Sequence, residues 1–298
     1  MRSMIEPYAA NPRYHRQIDR TNSFTVARCV KSVHFNDQRI IMTYEDILYE
    51  IKNGVATITI NRPDKYNAFR GQTCEEMIHA FLRAGWDHSV GVIVLTGAGN
   101  RAFCTGGDQS SHAGHYDGRG VIGLPLEELQ SVIRDVPKPV IAKVRGYAIG
   151  GGHVLALLCD LTLAAESAKF GQVGPKVGSV DPGFGTAYMS RVIGEKRARE
   201  VWYLCRQYTG AEAVQMGLAN KAVPDDELDA EVERWCAEIL EKSPTALELA
   251  KRSFNADTAH IAGLSSLGLK AVSLFYGTEE SQEGVRAFQE KRKPKFRG

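Results

Sequence analysis

No two of the six cysteines form a CxxC pair. Cys29, Cys74, Cys104, Cys159, Cys205 and Cys236 are scattered, several in apolar surroundings. That is the setting of buried free thiols, not of a disulfide framework or a zinc site. No signal-peptide pattern accompanies them, so a reducing cytoplasm is expected. No apolar run reaches the roughly 20 residues of a membrane span. The formal net charge is only +2, which gives no electrostatic argument for nucleic acid or for a membrane surface. Nucleotide loops are lacking as well: neither glycine-rich stretch reads GxGxxG after a first strand, or GxxxxGKS.

What is present is an ordinary globular composition. The chain has 298 residues, 43% apolar and 24% charged, enough for one large domain or a domain with an appendage. Residues 1–42 stand apart, with frequent arginines, few acids and no sustained periodicity. They are expected to be an N-terminal extension, either a flexible arm or the result of a start placed upstream; a transit peptide would share the arginine bias. Residues 43–240 read as the core and 241–298 as a C-terminal helical region.

Within the core the signals alternate. "DILYEIKNGVATITINRP" predicts two strands paired around Asn53-Gly54. "GQTCEEMIHAFLRAGWD" has helical spacing at Met77, Phe81 and Leu82. "VGVIVLTGAG" and "KPVIAKVRGYAIGGG" are apolar runs of the kind covered on both faces. "LPLEELQSVIRDV" and "HVLALLCD" predict helices, and "LTLAAE" a further strand. Beyond about residue 185 helix-period patterns dominate. Asp225 or Asp226 is placed to cap one of these helices, and Ser243-Pro244 to begin the next. The whole predicts an α/β core with crossover connections.

Two strands end in glycine turns, "TGAGNRAFCTGGDQ" and "GYAIGGGHV". Each can aim backbone N–H groups at one point, and the second adds a helix N-terminus, which favours negative charge. Together they can form a two-donor oxyanion hole. The same glycines equally permit tight turns and close packing. Spacing alone leaves both readings open.

"NRPDKYNAF", "AFCTGGD" and "GYAIGGGHVLALLCD" resemble the three hallmark segments of the crotonase (enoyl-CoA hydratase/isomerase) superfamily. The likeness spans about residues 43–298 in the right order. It implies a spiral of ββα units with a C-terminal helical trimerisation region. It also implies a homotrimer or homohexamer, and acyl-CoA thioester substrates whose carbonyl lies between two backbone N–H groups. Carried over, those donors are Gly107 and Gly151. The implied CoA contacts are Lys65, Asn67, Ala68 and Arg101, with Lys291 reaching a phosphate. CoA would belong to the substrate, and no separate cofactor is implied.

The chain departs from the hydratases where their two catalytic glutamates fall, at Val154 and Gly174. Neither residue can move a proton, which argues against water addition by paired carboxylates. The loop "FGQVGPKVGSVDPGFG" supplies Ser179 and Asp181 instead. "GPKVGS", "YLCRQY" and "LFYGTEESQEG" are similar in style to the 1,4-dihydroxy-2-naphthoyl-CoA synthases and, more closely, to the 2-ketocyclohexanecarboxyl-CoA hydrolases. That resemblance implies acid–base roles for Asp181 and Tyr276, with Ser179 assisting and Tyr116 a further candidate. Without it, Asp181 before Pro182 reads as a turn former and Tyr276 as a packed aromatic.

Three departures favour the hydrolases over the synthases: Ser110, Ser111 and His112 where synthases carry basic residues, Val173 where many carry threonine, and Pro182. The implied reaction is hydrolytic ring opening of 2-oxocyclohexane-1-carboxyl-CoA to pimeloyl-CoA. The alternatives are synthase-type ring closure or a non-catalytic CoA- or RNA-binding protein. His112 and His115 share a loop without acidic or cysteine partners, too few ligands for a metal. His153 is expected to pack behind the glycine turn.

Overall fold

The hairpin predicted at Asn53-Gly54 joins β1 (Ile47–Lys52) to β2 (Val55–Ile60), with both turn residues at positive φ, 51° and 80°, as a type I′ turn requires. In this computed structural model residues 43–109, 116–181 and 183–297 are described. Cys29 and the rest of the N-terminal extension, Ser110, Ser111, His112, His115 and Pro182 lie outside the described residues. From β2 the chain crosses through α1 (Gly71–Trp86) to the parallel strand β3 (Val92–Gly97). Met77 and Phe81 on α1 are fully buried, whereas Leu82 stays 43% exposed.

Two sheets are then built alternately. β3, β5 (Val140–Val144), β7 (Leu161–Ala165) and β10 (Lys221–Val223) extend the first sheet in the order β1-β2-β3-β5-β7-β10. β4 (Ala102–Cys104), β6 (Tyr147–Ile149), β8 (Lys169–Gly171) and β9 (Gln207–Thr209) form the second, in that order. Each pass of the chain lays one strand in each sheet before a helix: β3 and β4 precede α2 (Leu126–Asp135), β5 and β6 precede α3 (Gly151–Leu158), and β7 and β8 precede α4 (Gly174–Val177). This is the α/β spiral of ββα units that the resemblance implied.

The apolar run "KPVIAKVRGYAIGGG" is therefore two strands, not one. The break is at Gly146, whose φ is 66° and whose missing Cβ leaves room for the Arg101 carbonyl; a side chain there would collide with it. The corner moves the chain from one sheet to the other. Val92–Leu95 and Val140–Ala142 are buried without interruption, as strands covered on both faces must be.

The helical half comprises α5 (Phe184–Ile193), α6 (Glu195–Leu204), α7 (Gly210–Met216), α8 (Leu228–Leu240), α9 (Pro244–Asp257), α10 (Leu264–Phe275) and α11 (Glu279–Gln289). Ser243 caps α9 by accepting from the Ala246 N–H at 3.4 Å, with Pro244 at the first position. The expectation for α8 fails: its cap is Glu227, with no side-chain cap bond. Asp225 instead accepts from the N–H and hydroxyl of Ser167, at 3.3 and 2.5 Å, tying down the turn between β7 and β8. α9 is locked to the core by Lys251, 7% exposed, which meets Asp160 at 2.8 Å and donates to the Ile133 and Lys138 carbonyls. Cys74, Cys104, Cys159 and Cys236 are buried free thiols, and Cys205 is half-buried.

Candidate active site

The two glycine turns are neighbours because their strands are. β4 and β6 pair in parallel, Ala102 opposite Tyr147 and Cys104 opposite Ala148. Both chains turn at the same end, at Gly106 (φ 85°) and Gly150 (φ 57°). The turns touch: a Cβ on Gly106 would lie 2.9 Å from the Gly151 nitrogen. Gly107 forms a parallel bridge with Phe69, in which Phe69 N–H donates to Gly106 O and Asp108 N–H to Phe69 O, both at 2.8 Å. Backbone groups alternate along an extended strand, so the Gly107 N–H faces the opposite edge.

Gly151 is the first residue of α3, whose first helical bond is Val154 N–H to Gly150 O at 3.1 Å. Its own N–H therefore has no intrahelical acceptor. Gln172, 1% exposed, adds a bond from Nε2 to the Gly150 carbonyl at 3.3 Å. That carbonyl and the Gly151 N–H belong to one trans peptide, so holding the first aims the second the other way. On the other turn, Asp108 is 4% exposed and paired with Arg62 at 2.8 Å. Arg62 also reaches Asp46, which is held by Arg70 at 2.8 Å and by the Thr73 hydroxyl at 2.6 Å. Buried charge pairing of this kind fixes the loop on either side of Gly107.

Both glycines open on a cavity of about 610 Å³. Its inner wall is apolar, with Phe69, Ile122, Leu124, Val154, Val180 and Val272. Tyr116, Ser179 and Tyr276 also line it. Tyr116 lies over Gly107 so closely that a Cβ at Gly107 would collide with its hydroxyl. Burial pushes the Tyr116 phenol far up, reinforced by Tyr276 and Asp108 nearby. The Ser179 hydroxyl and the Tyr276 hydroxyl are 3.3 Å apart. Burial raises Tyr276 as well, against the lowering effect of Ser179.

Asp181 stands behind this wall. Its Oδ2 accepts from the Thr186 N–H at 2.6 Å, in the first turn of α5. Its Oδ1 is buried and makes no hydrogen bond among the described residues. The point where a Cβ on Gly185 would sit is 2.8 Å from Asp181 Oδ1, 3.0 Å from Val154 Cγ2 and 3.4 Å from Trp202 Cζ2. Burial raises the Asp181 carboxyl, and the Thr186 hydroxyl, with the N–H groups of Thr186, Gly183 and Gly185, pulls it back only in part. A carboxylate thus arrives beside Val154 from another element. Gly174, the other departure, also lines the cavity.

The cavity mouth is aromatic. Tyr66 and Tyr147 line it as an edge-to-face pair with centroids 6.2 Å apart, and the Arg101 guanidinium stacks 4.0 Å over the Tyr66 ring. Lys65 and Ala68 are on the lining; Arg101 is held beside it by Tyr66. Asn67 differs from expectation. It is fully buried, its Oδ1 accepts from Arg62 N–H, and its Nδ2 donates to Ala98 O and Ala102 O. That side chain is committed to the loop, and the Asn67 N–H donates to Arg62 O at 2.9 Å, so of Asn67 only the backbone carbonyl is left for such a contact. Lys291 is not on the wall; its N–H donates to the carbonyl of Phe288, which is.

His153 packs behind the glycine turn, 1% exposed and edge-on to Phe170 at 5.7 Å. No group of three or more metal-ligating side chains occurs among the described residues. The sequence reading missed Phe69, Tyr66 and Tyr147, although each lies inside or beside a hallmark segment. It also missed Trp202, for which no local signal existed: α6 brings it to the wall through tertiary packing.

Comparison with known proteins agrees with this architecture. An enoyl-CoA hydratase from Mycobacterium avium subsp. paratuberculosis K-10 is similar at 28% identity, over 86% of this chain and 100% of its own, with a TM-score of 0.77. A carnitinyl-CoA hydratase from Mycobacterium avium is similar at 30% identity, over 85% and 98%, with a TM-score of 0.75. An enoyl-CoA hydratase/carnithine racemase from Magnetospirillum magneticum is similar at 32% identity, over 86% and 96%, with a TM-score of 0.67. The enoyl-CoA hydratase/isomerase family profile matches residues 50–298, and to that family the chain belongs.

Proposed function

We propose that this protein is an acyl-CoA-processing enzyme that opens a cyclic β-keto thioester by hydrolysis, converting 2-oxocyclohexane-1-carboxyl-CoA to pimeloyl-CoA. One observation carries the reading: Val154 and Gly174 line the cavity beside the glycine turns together with Tyr276, Ser179 and Tyr116, Asp181 stands behind Val154, and of the lining carboxylates Asp108 is tied to Arg62 and Asp64 lies with Lys65 at the mouth. Water addition to a C=C needs paired carboxylates, which Val154 and Gly174 cannot supply.

In the proposed reaction water attacks the ring ketone, and Asp181 takes its proton. The bond between the ketone carbon and the α-carbon breaks. Its electrons pass to the thioester enolate, whose oxygen the N–H groups of Gly107 and Gly151 stabilise. Asp181 then returns that proton, which reaches the α-carbon by way of Tyr276 and Ser179, leaving a carboxylic acid at one end, the thioester at the other and the side chains as they began. Losing one donor of such a hole costs about 3–4 kcal/mol of barrier. The raised carboxyl of Asp181 suits a base acting near neutral pH.

The inner wall supports a neutral ring. Lys65 is the single cationic side chain among the described lining residues, and it sits with the mouth residues Tyr66 and Ala68. A ring-closing synthase working on an aromatic carboxylate needs a cation deeper in. At the mouth, Lys65, Arg101 and the backbone around Ala68 and Asn67 would take CoA, with Lys291 at a phosphate. Assembly as a homotrimer or homohexamer is supported by Leu249, Phe254, Leu267 and Leu274, all more than 60% exposed on α9 and α10. No described helix is long and apolar enough to cross a membrane.

The test is direct. The purified protein is given 2-oxocyclohexane-1-carboxyl-CoA, and mass spectrometry is used to find the dicarboxylic monothioester. Conversion of an aromatic succinyl-CoA alone selects the synthase; hydration of crotonyl-CoA at comparable rates sinks the reading.

A further inference from the structure

Gly178 ends α4 with φ 74°, and it meets α11 backbone to backbone. A Cβ on Gly178 would collide with the Ser281 carbonyl and lie 3.1 Å from Gly284 Cα. A Cβ on Gly284 would collide with the nitrogen and Cα of Gly178. Ser281, 1% exposed, donates its hydroxyl to the Gly178 carbonyl at 2.6 Å. None of these three residues lines the cavity.

Each side of this contact leads directly to one hydroxyl of the Ser179–Tyr276 pair. Ser179 follows Gly178, with its N–H held by Gly174 O at 2.9 Å. Tyr276 ends α10, and its carbonyl accepts from Gln282 Nε2 at 3.0 Å, one residue beyond Ser281. Thr278, between them, caps α11 by accepting from the Ser281 N–H at 3.2 Å. A single hydroxyl contact of 3.3 Å is too weak to hold two helices in register. Close backbone packing with a buried hydrogen bond is strong enough, and it has no slack.

We propose that Ser281 and Gly284 are positioning residues: they clasp α11 to the end of α4 and so set the Ser179–Tyr276 contact. The kinetic part rests on the ring-opening reading; the geometric part does not. Misplacing a reacting group by about 1 Å can cost on the order of 100-fold in rate.

The experiment labels the protein with 3-fluorotyrosine and assigns the Tyr276 resonance by its loss in Tyr276→Phe. Gly284→Ala is expected to shift that resonance and to leave Tyr208, on β9, in place. Its kcat should fall at least tenfold with KM within threefold. In the Tyr276→Phe background the same substitution should cost no more than twofold. An unmoved Tyr276 resonance in folded Gly284→Ala overturns the proposal, as does an equal loss of kcat with and without Tyr276. If Gly284→Ala does not fold, Ser281→Ala carries the same readouts, with a loss of about threefold expected. If the wild-type protein turns over no ring substrate, the ring-opening reading fails, and the fluorine comparison alone decides the clasp.

Discussion

Asp181 Oδ1 and Val154 Cγ2 face the same small space, which exists because Gly185 has no side chain. A carboxylate thus stands next to Val154, where the resemblance implies a glutamate in the hydratases, and it is supplied by the loop before α5 and not by α3. Asp181→Asn keeps an oxygen for the Thr186 N–H and removes the base. It is expected to lower kcat by roughly 100- to 1,000-fold with KM within a few-fold and an unchanged melting temperature. Steady-state kinetics beside a thermal melt checks it; retained turnover would remove Asp181 from the mechanism.

The turn proposed to hold the oxyanion predicts a rescue. A Cβ on Gly151 would lie 2.7 Å from Phe69 Cζ and 3.2 Å from Gly106 Cα. Gly151→Ala should push the ring and the turn apart and cost about 100-fold in kcat. Phe69→Leu in that background gives the methyl room and should recover part of the loss. Failure of Phe69→Leu to recover any activity would place the damage elsewhere.

His153 predicts an acid limit on stability. Burial takes its pKa from the ordinary 6.5 down to about 4. The unfolded chain therefore binds a proton between those values that the folded chain does not. Stability from this group is complete above pH 6.5, falls as pH drops toward 4, and is level below that. The loss totals about 3 kcal/mol. Urea midpoints from pH 7.5 to 4.5 should show the slope, and His153→Leu should flatten it. An equal slope in both proteins would assign it to other groups.

Lys251 predicts a stability defect with a compensating partner. Its ammonium is buried against Asp160, and Asp160 also accepts from the Val140 N–H at 2.7 Å. Lys251→Met should cost roughly 1–3 kcal/mol, because it removes a buried ammonium and leaves the partly covered Asp160 carboxylate without its partner. Adding Asp160→Asn should return at least half, since the amide oxygen still receives the Val140 N–H. Denaturant melts of the single and double variants measure it; additive losses would mean that the pair is not coupled.

The parts of the fold legible in sequence were those with local cause. Asn53-Gly54 specified its own turn, and the runs around Val94 and Ile141 could only be covered strands. The corner at Gly146 was hidden because both strands it joins are apolar and only their sheets differ. β8, β9 and β10 have three residues each, too few for any period to show. At the site, the glycine turns and the absent glutamates were readable as positions. That the Asn67 side chain turns into its own loop is not legible in the motif, which does not say which way a side chain faces. Trp202 and the Gly178–Gly284 contact join segments far apart in the chain, and no local pattern encodes them.

The alternation of strands between two sheets separates what is constant in this molecule from what is replaceable. The two proposed oxyanion donors follow adjacent strands of one ladder, so their spacing is a property of the sheet and cannot drift without breaking it. The proposed proton carriers come from a loop and from helices that merely lean on that sheet. New reactions can therefore be fitted by exchanging the carriers around a fixed carbonyl seat. Restoring glutamates at positions 154 and 174 on this scaffold is the natural place to begin.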